Sequence, residues 1–551
     1  MSTELRELVL RLALSNAIAH GGKALSKPVL ARLLGLRPEL KKDAKETAKL
    51  VDSVVEEVNQ MPLEEQKELL AKLGGEVRVK KTKKREGIEI ERNPVVRFAP
   101  NPDGALHLGS ARPAILCDWL AKKYEGKFIL RFDDTDPKVK VPEQMFYDWI
   151  LEDLEWLSVE IDQIVYASKR LELYYAYAEK LVELGYAYVC TCDPEEWRKL
   201  RNSGTACPCR ELDTQEHLRR WKRMLNHEYK EGEAVLRIKT NLDHPNVSVR
   251  DWPGMRIVED ASRHPINKKA HLWPLYNFAS AIDDHELGIT HILRGQEHAL
   301  NTVKQRYIYD YLGWSYPKVF NLGRLSLKGV VLSKSKTRRG IAEGIYAGWD
   351  DPKLGTLRAL RRRGFSPEAI RKLILDIGIT SRDSIVAFEN LAAYNRKVID
   401  PIANRYFFVE EPIELELNLD GEFEVEAPLH PTIERGTRKL KVKGKVYVER
   451  RDFEELEGKE VRLKHFCNVI LGRKSEVVDF APKRGIPIIH WVPIDECIAV
   501  ELICPERISK GYGEVNLANE EVDRVVQFER VGFARIEKKT EEKIVAIFAH
   551  R

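Results

Sequence analysis

The chain has 551 residues, of which 43% are hydrophobic and 32% are charged, a composition typical of a globular protein that is too long for one core and needs about two to four domains. No stretch reaches the roughly 18 apolar residues of a membrane span, and no secretory leader pattern opens the sequence, so we expect a cytoplasmic protein without a membrane partner. The net charge of +5 allows a polyanionic partner but does not require one.

Residues 1–87 are predicted to form an N-terminal helical domain followed by a basic linker. Apolar residues at positions 50, 51, 54, 55 and 58 fall on one helical face. The linker contains the run RVKKTKKR at residues 78–85, and such a run is more often a solvated segment than a binding site. The domain carries no recognisable chemistry, so its role stays open.

The stretch RFAPNPDGALHLG at residues 97–109 is the part of the sequence on which the functional interpretation depends most. It follows a short β-branched run that indicates a buried strand, and it leads into residues 111–124, whose apolar positions have helical spacing. Pro100 stiffens the loop, and Gly109 lets backbone approach a ligand closely. Because the N–H groups at a helix start favour anions, this loop is predicted to bind phosphate.

A second polar cluster, RFDDTDP at residues 131–137, follows the next predicted strand, residues 128–132. Ligands of an open parallel sheet bind beyond the carboxyl ends of the strands, so both clusters should face one crevice. Strands and helices alternate through residues 88–189 and again through 273–340, which predicts a doubly wound α/β domain in two halves. The basic segment 330–336, flanked by glycines, is predicted to be a mobile loop.

Residues 190–272 interrupt this alternation and are predicted to be an insertion. Four of the eight cysteines lie at its start, at Cys190, Cys192, Cys207 and Cys209. In a reducing compartment, paired thiols at short spacing more often bind Zn²⁺ than form disulfides. A zinc site is therefore predicted, and the alternative is a cluster of buried thiols without a metal.

The last third of the chain has two predicted parts. Residues 341–398 indicate a helical connector. Residues 399–551 contain alternations such as IELEL at 413–417, separated by turn signals, which predict β-barrels.

The two polar clusters resemble the signatures of class I aminoacyl-tRNA synthetases specific for glutamate or glutamine. The resemblance continues to the C-terminus through short stretches at residues 295–298, 324–325, 348–352, 361–364, 489–491 and 527–530. It implies a Rossmann-type catalytic domain, an insertion that binds the acceptor stem of tRNA, and C-terminal β-barrel domains that bind the anticodon, as in archaeal members.

The resemblance also implies an activity. ATP, accompanied by Mg²⁺, would activate glutamate, and the enzyme would join it to tRNA(Glu), or also to tRNA(Gln) if it is non-discriminating. We expect a monomer. Rival interpretations are a glutamine-specific ligase, a tRNA-binding protein on a catalytically inactive scaffold, and a tRNA-independent adenylyl ligase, which would leave the β-rich tail unexplained.

The two phosphate-binding motifs of the family are present in altered form. His107 and Gly109 match the first motif, but Ser110 stands where the family has a second histidine. Lys334 matches the essential lysine of the second motif, in which Val331 replaces the first lysine. A hydroxyl can still donate a hydrogen bond, so Ser110 is included among the catalytic residues. The resemblance implies an ATP-binding set of Pro100, His107, Gly109, Arg324, Leu325, Ser333 and Lys334.

An acidic side chain bound away from water needs a paired cation, best supplied by the planar fork of arginine. In the family, the position of Arg294 is arginine in glutamate enzymes and a small residue in glutamine enzymes, so the resemblance favours glutamate. The alternative is that Arg294 forms an ion pair with Asp283 or Asp284. The other glutamate-binding residues implied by the resemblance are Arg97 for a carboxylate, Asp133 for the ammonium group, and Ala99, Asn101, Tyr276 and Ser280.

Contacts with the tRNA anticodon are implied by the resemblance for Arg396, Arg462, Gln527 and Arg530. Barrels with basic and aromatic side chains suit the stacking of unpaired bases. Each of these residues could equally be a surface residue with a local partner.

Overall fold

The computed structural model describes residues 3–19, 22–73 and 90–551. The chain separates into two compact units, residues 1–90 and 91–551. The basic run at 78–85 lies outside the described residues. No helix in the described ranges is both long and apolar enough to cross a bilayer.

The first unit is helical, as predicted. Its helices are α1 (Thr3–Ala19), α2 (Ser26–Leu36), α3 (Ala44–Asn59) and α4 (Leu63–Lys72). Val51, Val54, Val55 and Val58 on α3 are buried, which confirms the apolar face predicted for residues 50–58.

The second unit begins with alternating strands and helices. These are β1 (Val95–Phe98), α5 (Leu108–Lys123), β2 (Lys127–Phe132), α6 (Gln144–Trp156), β3 (Gln163–Tyr166) and α7 (Leu171–Glu183). Helix α5 begins earlier than the predicted residue 111, because His107 caps it with its own side chain. The loop that is predicted to bind phosphate is therefore shorter than the sequence predicts.

An antiparallel segment follows, made of β4 (Ala187–Cys190), α8 (Pro194–Ser203), α9 (Thr214–Leu225), β5 (Val235–Ile238), β6 (Pro253–Ile257) and β7 (Leu272–Pro274). The four strands form one sheet in the order β4-β5-β6-β7. The sequence predicts that the strand at Ala187 belongs to the catalytic half and that the insertion ends at residue 272. In the structure, β4 and β7 both belong to the sheet of the insertion. A short buried strand does not reveal its partner by periodicity.

The parallel part resumes with α10 (Tyr276–Glu286), β8 (His291–Gly295), α11 (Ala299–Leu312) and β9 (Lys318–Leu322). The five-stranded sheet has the order β3-β2-β1-β8-β9, and its pairings are parallel. The strand order reverses between β1 and β8, where a doubly wound sheet opens a crevice at its carboxyl edge. The predicted doubly wound domain is confirmed.

The segment after β9 contains β10 (Leu325–Leu327) and α12 (Lys334–Ala342), and the predicted connector contains α13 (Leu357–Arg362), α14 (Pro367–Ile377), β11 (Ser384–Val386) and α15 (Phe388–Ile399). The segment 330–336 was predicted to be a mobile loop, but Lys334 is the first residue of α12. The flanking glycines suggested a loop, whereas the basic residues after Ser333 continue as a helix.

The C-terminal region is β-rich, as predicted. Its elements are β12 (Arg405–Tyr406), β13 (Phe408–Glu410), β14 (Pro412–Leu417), β15 (Phe423–Pro428), β16 (Thr437–Val442), β17 (Lys445–Glu449), α16 (Arg450–Leu456), β18 (Glu460–Leu463), β19 (Asn468–Ile470), β20 (Lys474–Asp479), β21 (Ile488–Ile489), β22 (Trp491–Pro493), β23 (Cys497–Ile503), β24 (Ile508–Glu514), β25 (Val525–Phe528), β26 (Gly532–Lys539) and β27 (Lys543–His550). Most of the strands form two seven-stranded sheets, each with its own apolar core.

Candidate active-site crevice

The start of α5 is held by a reciprocal cap between His107 and Ser110. Nδ1 of His107 accepts a hydrogen bond from the backbone N–H of Ser110 at 3.1 Å, and Oγ of Ser110 accepts one from the N–H of His107 at 2.8 Å. Oγ of Ser110 also donates to the carbonyl of His107 at 2.9 Å. The hydroxyl expected to donate to ATP is thus already used by the helix, so Ser110 positions His107 instead.

The cap fixes the protonation of His107. Because Nδ1 accepts, the neutral ring carries its proton on Nε2, where it can be donated to a ligand. Burial, with the nearby charge of Lys334, lowers the pKa of His107 to about 4. The ring is therefore a neutral donor at physiological pH rather than a cation.

Two glycines allow close packing around this cap. A Cβ on Gly109 would lie 3.1 Å from the His107 ring and 3.5 Å from the carbonyl oxygen of Leu325. A Cβ on Gly104 would lie 2.7 Å from the Trp349 ring and 3.3 Å from Cδ of Lys334. The backbone at Leu325 and the side chain of Lys334 can therefore approach the 97–109 loop closely.

Lys334 is docked onto that loop. Its Nζ donates to the carbonyl of Asn101 at 2.6 Å and to the carboxylate of Asp103 at 3.0 Å. Burial lowers the pKa of Lys334, while Asp103 opposes that shift. Lys334 thus lies close enough to His107 for its charge to lower the pKa of the ring.

The remaining residues predicted to bind ATP differ in their exposure and in their contacts. The carbonyl of Pro100 accepts the N–H of Asp133 at 2.9 Å, which ties the loop to the end of β2. Arg324 is exposed, and its backbone N–H donates to Asp383 at 2.7 Å. Oγ of Ser333 lies 3.3 Å from Oγ of Ser335.

Two buried arginines of the crevice are paired with carboxylates. Arg97 donates to both oxygens of Asp284 at 2.8 and 3.1 Å, and Nε of Arg131 donates to Asp283 at 2.5 Å. Burial alone would lower the pKa of Arg97, but Asp284 outweighs it and raises the pKa. Arg97 was expected to hold a substrate carboxylate, yet Asp284 already compensates its charge.

Two of the other predicted glutamate ligands contact these ion pairs. Asp133 keeps 16% of its side chain exposed and contacts Arg131 at 3.2 Å. Oγ of Ser280 lies 3.5 Å from Asp284, so it supports the Arg97 ion pair. Asp133 thus remains accessible to an ammonium group, whereas Ser280 acts on the protein itself.

The last three predicted glutamate ligands have few contacts of their own. The Tyr276 ring lies 5.6 Å from that of His298. Ala99 is half-buried. Oδ1 of Asn101 is buried without a hydrogen-bond partner in the described part of the chain, so it can still accept a hydrogen bond from a ligand.

Arg294 differs from Arg97 and Arg131, because among the described residues it forms no ion pair. Its side chain is 5% exposed. Nη1 donates to Oε1 of Gln305 at 3.0 Å, and Nη2 donates to Oγ1 of Thr302 at 2.5 Å and to the Tyr316 hydroxyl at 3.4 Å. The alternative pairing with Asp283 or Asp284 is thus not formed.

His107 follows β1 and Arg294 lies near the end of β8, and these adjacent parallel strands have their carboxyl ends at one edge of the sheet. Burial lowers the pKa of His298, and the charges of Arg294, Arg97 and Lys140 lower it further, against the effect of Glu297. The charge of Lys140 also acts to lower the pKa of Lys334, which in turn lies beside His107. The charge of Lys140 therefore acts on one residue near each predicted half of the site, His298 and Lys334.

Sequence reasoning missed the partners of Arg294. Thr302 and Gln305 are three residues apart on α11, so they share a helix face. The sequence of α11 gives no signal that singles them out, because the helix carries several other polar residues and only three buried ones. Tyr316, which follows the helix, gives no signal either.

Three of the four cysteines of the antiparallel segment lie close together, and the fourth, Cys209, contacts one of them. Sγ of Cys190 lies 3.9 Å from that of Cys207, and Sγ of Cys192 lies 3.5 Å from that of Cys209. The sulfurs of Cys190, Cys192 and Cys207 all lie within 4.8 Å of one another. All eight cysteines are free. These distances suit a tetrahedral thiolate site, in which each sulfur lies about 2.3 Å from the metal.

Two of the residues predicted to contact the anticodon have internal partners. Arg462 is buried and donates to Oδ1 of Asn468 at 2.9 Å and to the carbonyl of Ala481 at 3.1 Å. Arg530 donates to Asp452 at 2.8 Å. The local-partner alternative therefore describes both arginines in this structure.

The other two predicted anticodon residues are less constrained. Arg396 is exposed and contacts the carbonyl of Arg551. Oε1 of Gln527 is buried and has no hydrogen-bond partner among the described residues. A polar cavity of about 700 Å³ in the C-terminal region, lined by residues such as Asn404, Arg438 and Glu520, was not predicted.

The family models that match this chain agree with this architecture. Residues 94–401 match the family model described as tRNA synthetases class I (E and Q), catalytic domain, and residues 403–481 and 488–537 match two models of the anti-codon binding domain of the same class. Among solved structures, a glutamate-tRNA synthetase from Elizabethkingia anophelis aligns with 57% of this chain and 72% of that chain, at 24% identity and a TM-score of 0.41.

Full-length relatives are much more similar. The glutamate–tRNA ligases of Pyrococcus furiosus and Thermococcus kodakarensis are each 54% identical, over 575 and 574 residues that cover 100% of both chains in each comparison. That of Methanopyrus kandleri is 44% identical over 99% of both chains. The chain belongs to the class I tRNA synthetase family specific for glutamate and glutamine.

Proposed function

We propose that this protein is a glutamate–tRNA ligase, which activates glutamate with ATP and transfers it to the 3′ end of tRNA(Glu). The observation that carries the choice of amino acid is Arg294, a buried guanidinium whose described partners are all neutral. A buried cation without a counter-charge is costly, and the side-chain carboxylate of glutamate would supply one. Full-length relatives that are 54% identical and carry this name support the same activity.

In the activation step, the α-carboxylate of glutamate attacks the α-phosphorus of ATP, the bond to the bridging oxygen of the β-phosphate breaks, and pyrophosphate leaves with the electron pair. The protein contributes positioning and charge stabilisation. His107 would donate a hydrogen bond from its Nε2–H group to phosphate oxygens. Lys334 would give up its contact with Asp103 and interact with the developing charge on pyrophosphate. Mg²⁺ would accompany ATP as its counterion.

The choice between glutamate and glutamine follows from the same contacts. The amide of glutamine has no charge with which to compensate Arg294, and its NH₂ group would face donors. Glutamate accepts hydrogen bonds at both oxygens, so the site favours the acid over the amide.

The four clustered cysteines would hold a structural Zn²⁺ ion, whose bonds would tie β4 to the segment around Cys207 and Cys209. Metal analysis of the purified protein tests this, with about one zinc per chain expected. Absence of stoichiometric zinc would contradict it.

The protein would act as a monomer, and its C-terminal sheets would bind the anticodon. Binding of tRNA would be required before glutamate is activated. It would also charge tRNA(Gln) if it is non-discriminating. Aminoacylation with purified tRNA(Glu) and tRNA(Gln), using glutamate and glutamine in turn, tests the proposal. We expect glutamate on tRNA(Glu), no transfer of glutamine, and ATP–pyrophosphate exchange that depends on tRNA; charging with glutamine would overturn the assignment.

A further inference from the structure

Gln305 is fully buried on α11, and only one end of its amide is satisfied. Its Oε1 accepts hydrogen bonds from Nη1 of Arg294 at 3.0 Å and from the Tyr316 hydroxyl at 2.7 Å. Its Nε2 is buried and has no hydrogen-bond partner in the described part of the chain. The two donors set the orientation of the amide, because a flipped amide would point N–H groups at both of them.

On hydrogen bonding alone, glutamate would suit this position better than glutamine. A carboxylate would accept the same two hydrogen bonds, the one from Arg294 would become charge-assisted, and no buried N–H would be left unsatisfied. The amide of glutamine has one advantage over a carboxylate at this position, which is that it carries no charge.

Other buried arginines show how this protein neutralises or saturates a guanidinium group. Arg97 and Arg131 are compensated by Asp284 and Asp283. At Arg363, in the connector, backbone carbonyls accept hydrogen bonds from Nε, Nη1 and Nη2. Nε of Arg294, by contrast, has no partner among the described residues. Arg294 is thus held in place without being neutralised or saturated.

We propose that Gln305 is a positioning residue that orients Arg294 while leaving its charge uncompensated, and that this neutrality sets the affinity of the crevice for an acidic amino acid. The inference rests on the proposed function and extends it, because it assigns charge selectivity to a residue that acts through Arg294. Thr302 holds the second nitrogen in the same neutral way.

The test is Gln305→Glu, which is nearly isosteric and adds the counter-charge. We expect the variant to fold with an unchanged or higher Tm, because the new carboxylate would pair with Arg294. The KM for glutamate should rise at least about tenfold, while the KM for ATP stays within about twofold and kcat falls less than KM rises. Aminoacylation of tRNA(Glu) provides all of these kinetic values.

Two control variants separate charge from geometry. Gln305→Met removes the acceptor without adding charge, so the KM for glutamate should rise less than in Gln305→Glu. Gln163→Glu adds the same charge at the exposed start of β3, away from the carboxyl edge of the sheet, and should leave every kinetic parameter unchanged.

The outcomes distinguish the inference from the function on which it rests. Failure of the wild type to charge glutamate overturns the proposed function. A wild type that charges glutamate, with an unchanged glutamate KM in Gln305→Glu or a larger loss in Gln305→Met, overturns the role of Gln305. If Gln305→Glu does not fold, Thr302→Asp places a carboxylate against Nη2 of Arg294 and is expected to raise the glutamate KM in the same way.

Discussion

Arg294 in the catalytic crevice and the arginines of the C-terminal sheets differ in how the protein satisfies their N–H groups and their charge. In the crevice, Arg294 contacts neutral side chains. In the sheets, the buried Arg438 is paired with Glu514 at 2.7 Å, and the more exposed Arg530 is paired with Asp452 at 2.8 Å. The buried Arg462 donates to Asn468 and to backbone carbonyls. A buried guanidinium that the protein neither neutralises nor saturates, as at Arg294, can bind an external anion, whereas these three arginines are held by internal partners.

The difference limits how a family resemblance can be used. The resemblance assigned Arg294, Arg462 and Arg530 to ligands on equal terms, since motif position does not reveal local partners. The contacts separate them, because Arg462 and Arg530 would have to give up internal hydrogen bonds before meeting a base.

The largest expected effect concerns Lys334, the crevice lysine that already has a partner in Asp103. If ATP displaces Asp103, Lys334→Ala should lower the rate of tRNA-dependent ATP–pyrophosphate exchange at least about 100-fold, because developing phosphate charge loses its donor. Lys336→Ala, at an exposed position on the same helix, is the matched control and should stay within about twofold of the wild type. Equal losses in both variants would mean that Asp103 holds Lys334 for structure alone.

The next effect compares stability between the two regions. Arg462→Met should cost about 2–3 kcal/mol, because Oδ1 of Asn468 and buried carbonyls lose their donor. Arg294→Met should change stability by less than about 1 kcal/mol, because it also removes a buried charged group whose Nε has no hydrogen-bond partner among the described residues. Calorimetric melting of the two variants measures this, and a larger loss for Arg294→Met would reverse the comparison.

These contrasts also show what the sequence could and could not predict. The strands and helices around residues 95–132 follow from periodic apolar patterns, and the crevice follows from the parallel strand order. The partner of β4 and the helical start at Lys334 depend on tertiary contacts with distant segments. The Ser110 hydrogen bonds and the neutral partners of Arg294 depend on side-chain geometry, which no motif encodes.

The smallest expected effect concerns Asp153, a buried carboxylate whose ion pair with Arg358 is long at 3.8 Å. Both oxygens of Asp153 on α6 are buried and have no hydrogen-bond partner among the described residues. Burial raises its pKa from 3.8 to about 7, although Arg358 and Arg361 oppose the shift. The folded state therefore binds this proton more tightly than the unfolded state, so the stability it confers is complete below pH 3.8 and is lost as the pH rises through about 7.

Asp153→Asn should consequently gain stability relative to the wild type as the pH rises, by at least about 1 kcal/mol between about pH 4 and about pH 7, and the gain should level off above that range. Melting temperatures at several pH values measure it. Asp148→Asn, on the exposed face of the same helix, is the control. A difference between Asp153→Asn and the wild type that stays constant with pH would show that Asp153 is already ionised in the folded protein.

The most direct test of the role of Arg294 is the glutamate KM of Arg294→Met, measured beside the ATP KM in aminoacylation of tRNA(Glu). If Arg294 binds the side-chain carboxylate, the glutamate KM should rise at least about 100-fold while the ATP KM stays within about twofold. An unchanged glutamate KM, or equal increases for glutamate and ATP, would contradict the central claim that this uncompensated guanidinium selects the amino acid.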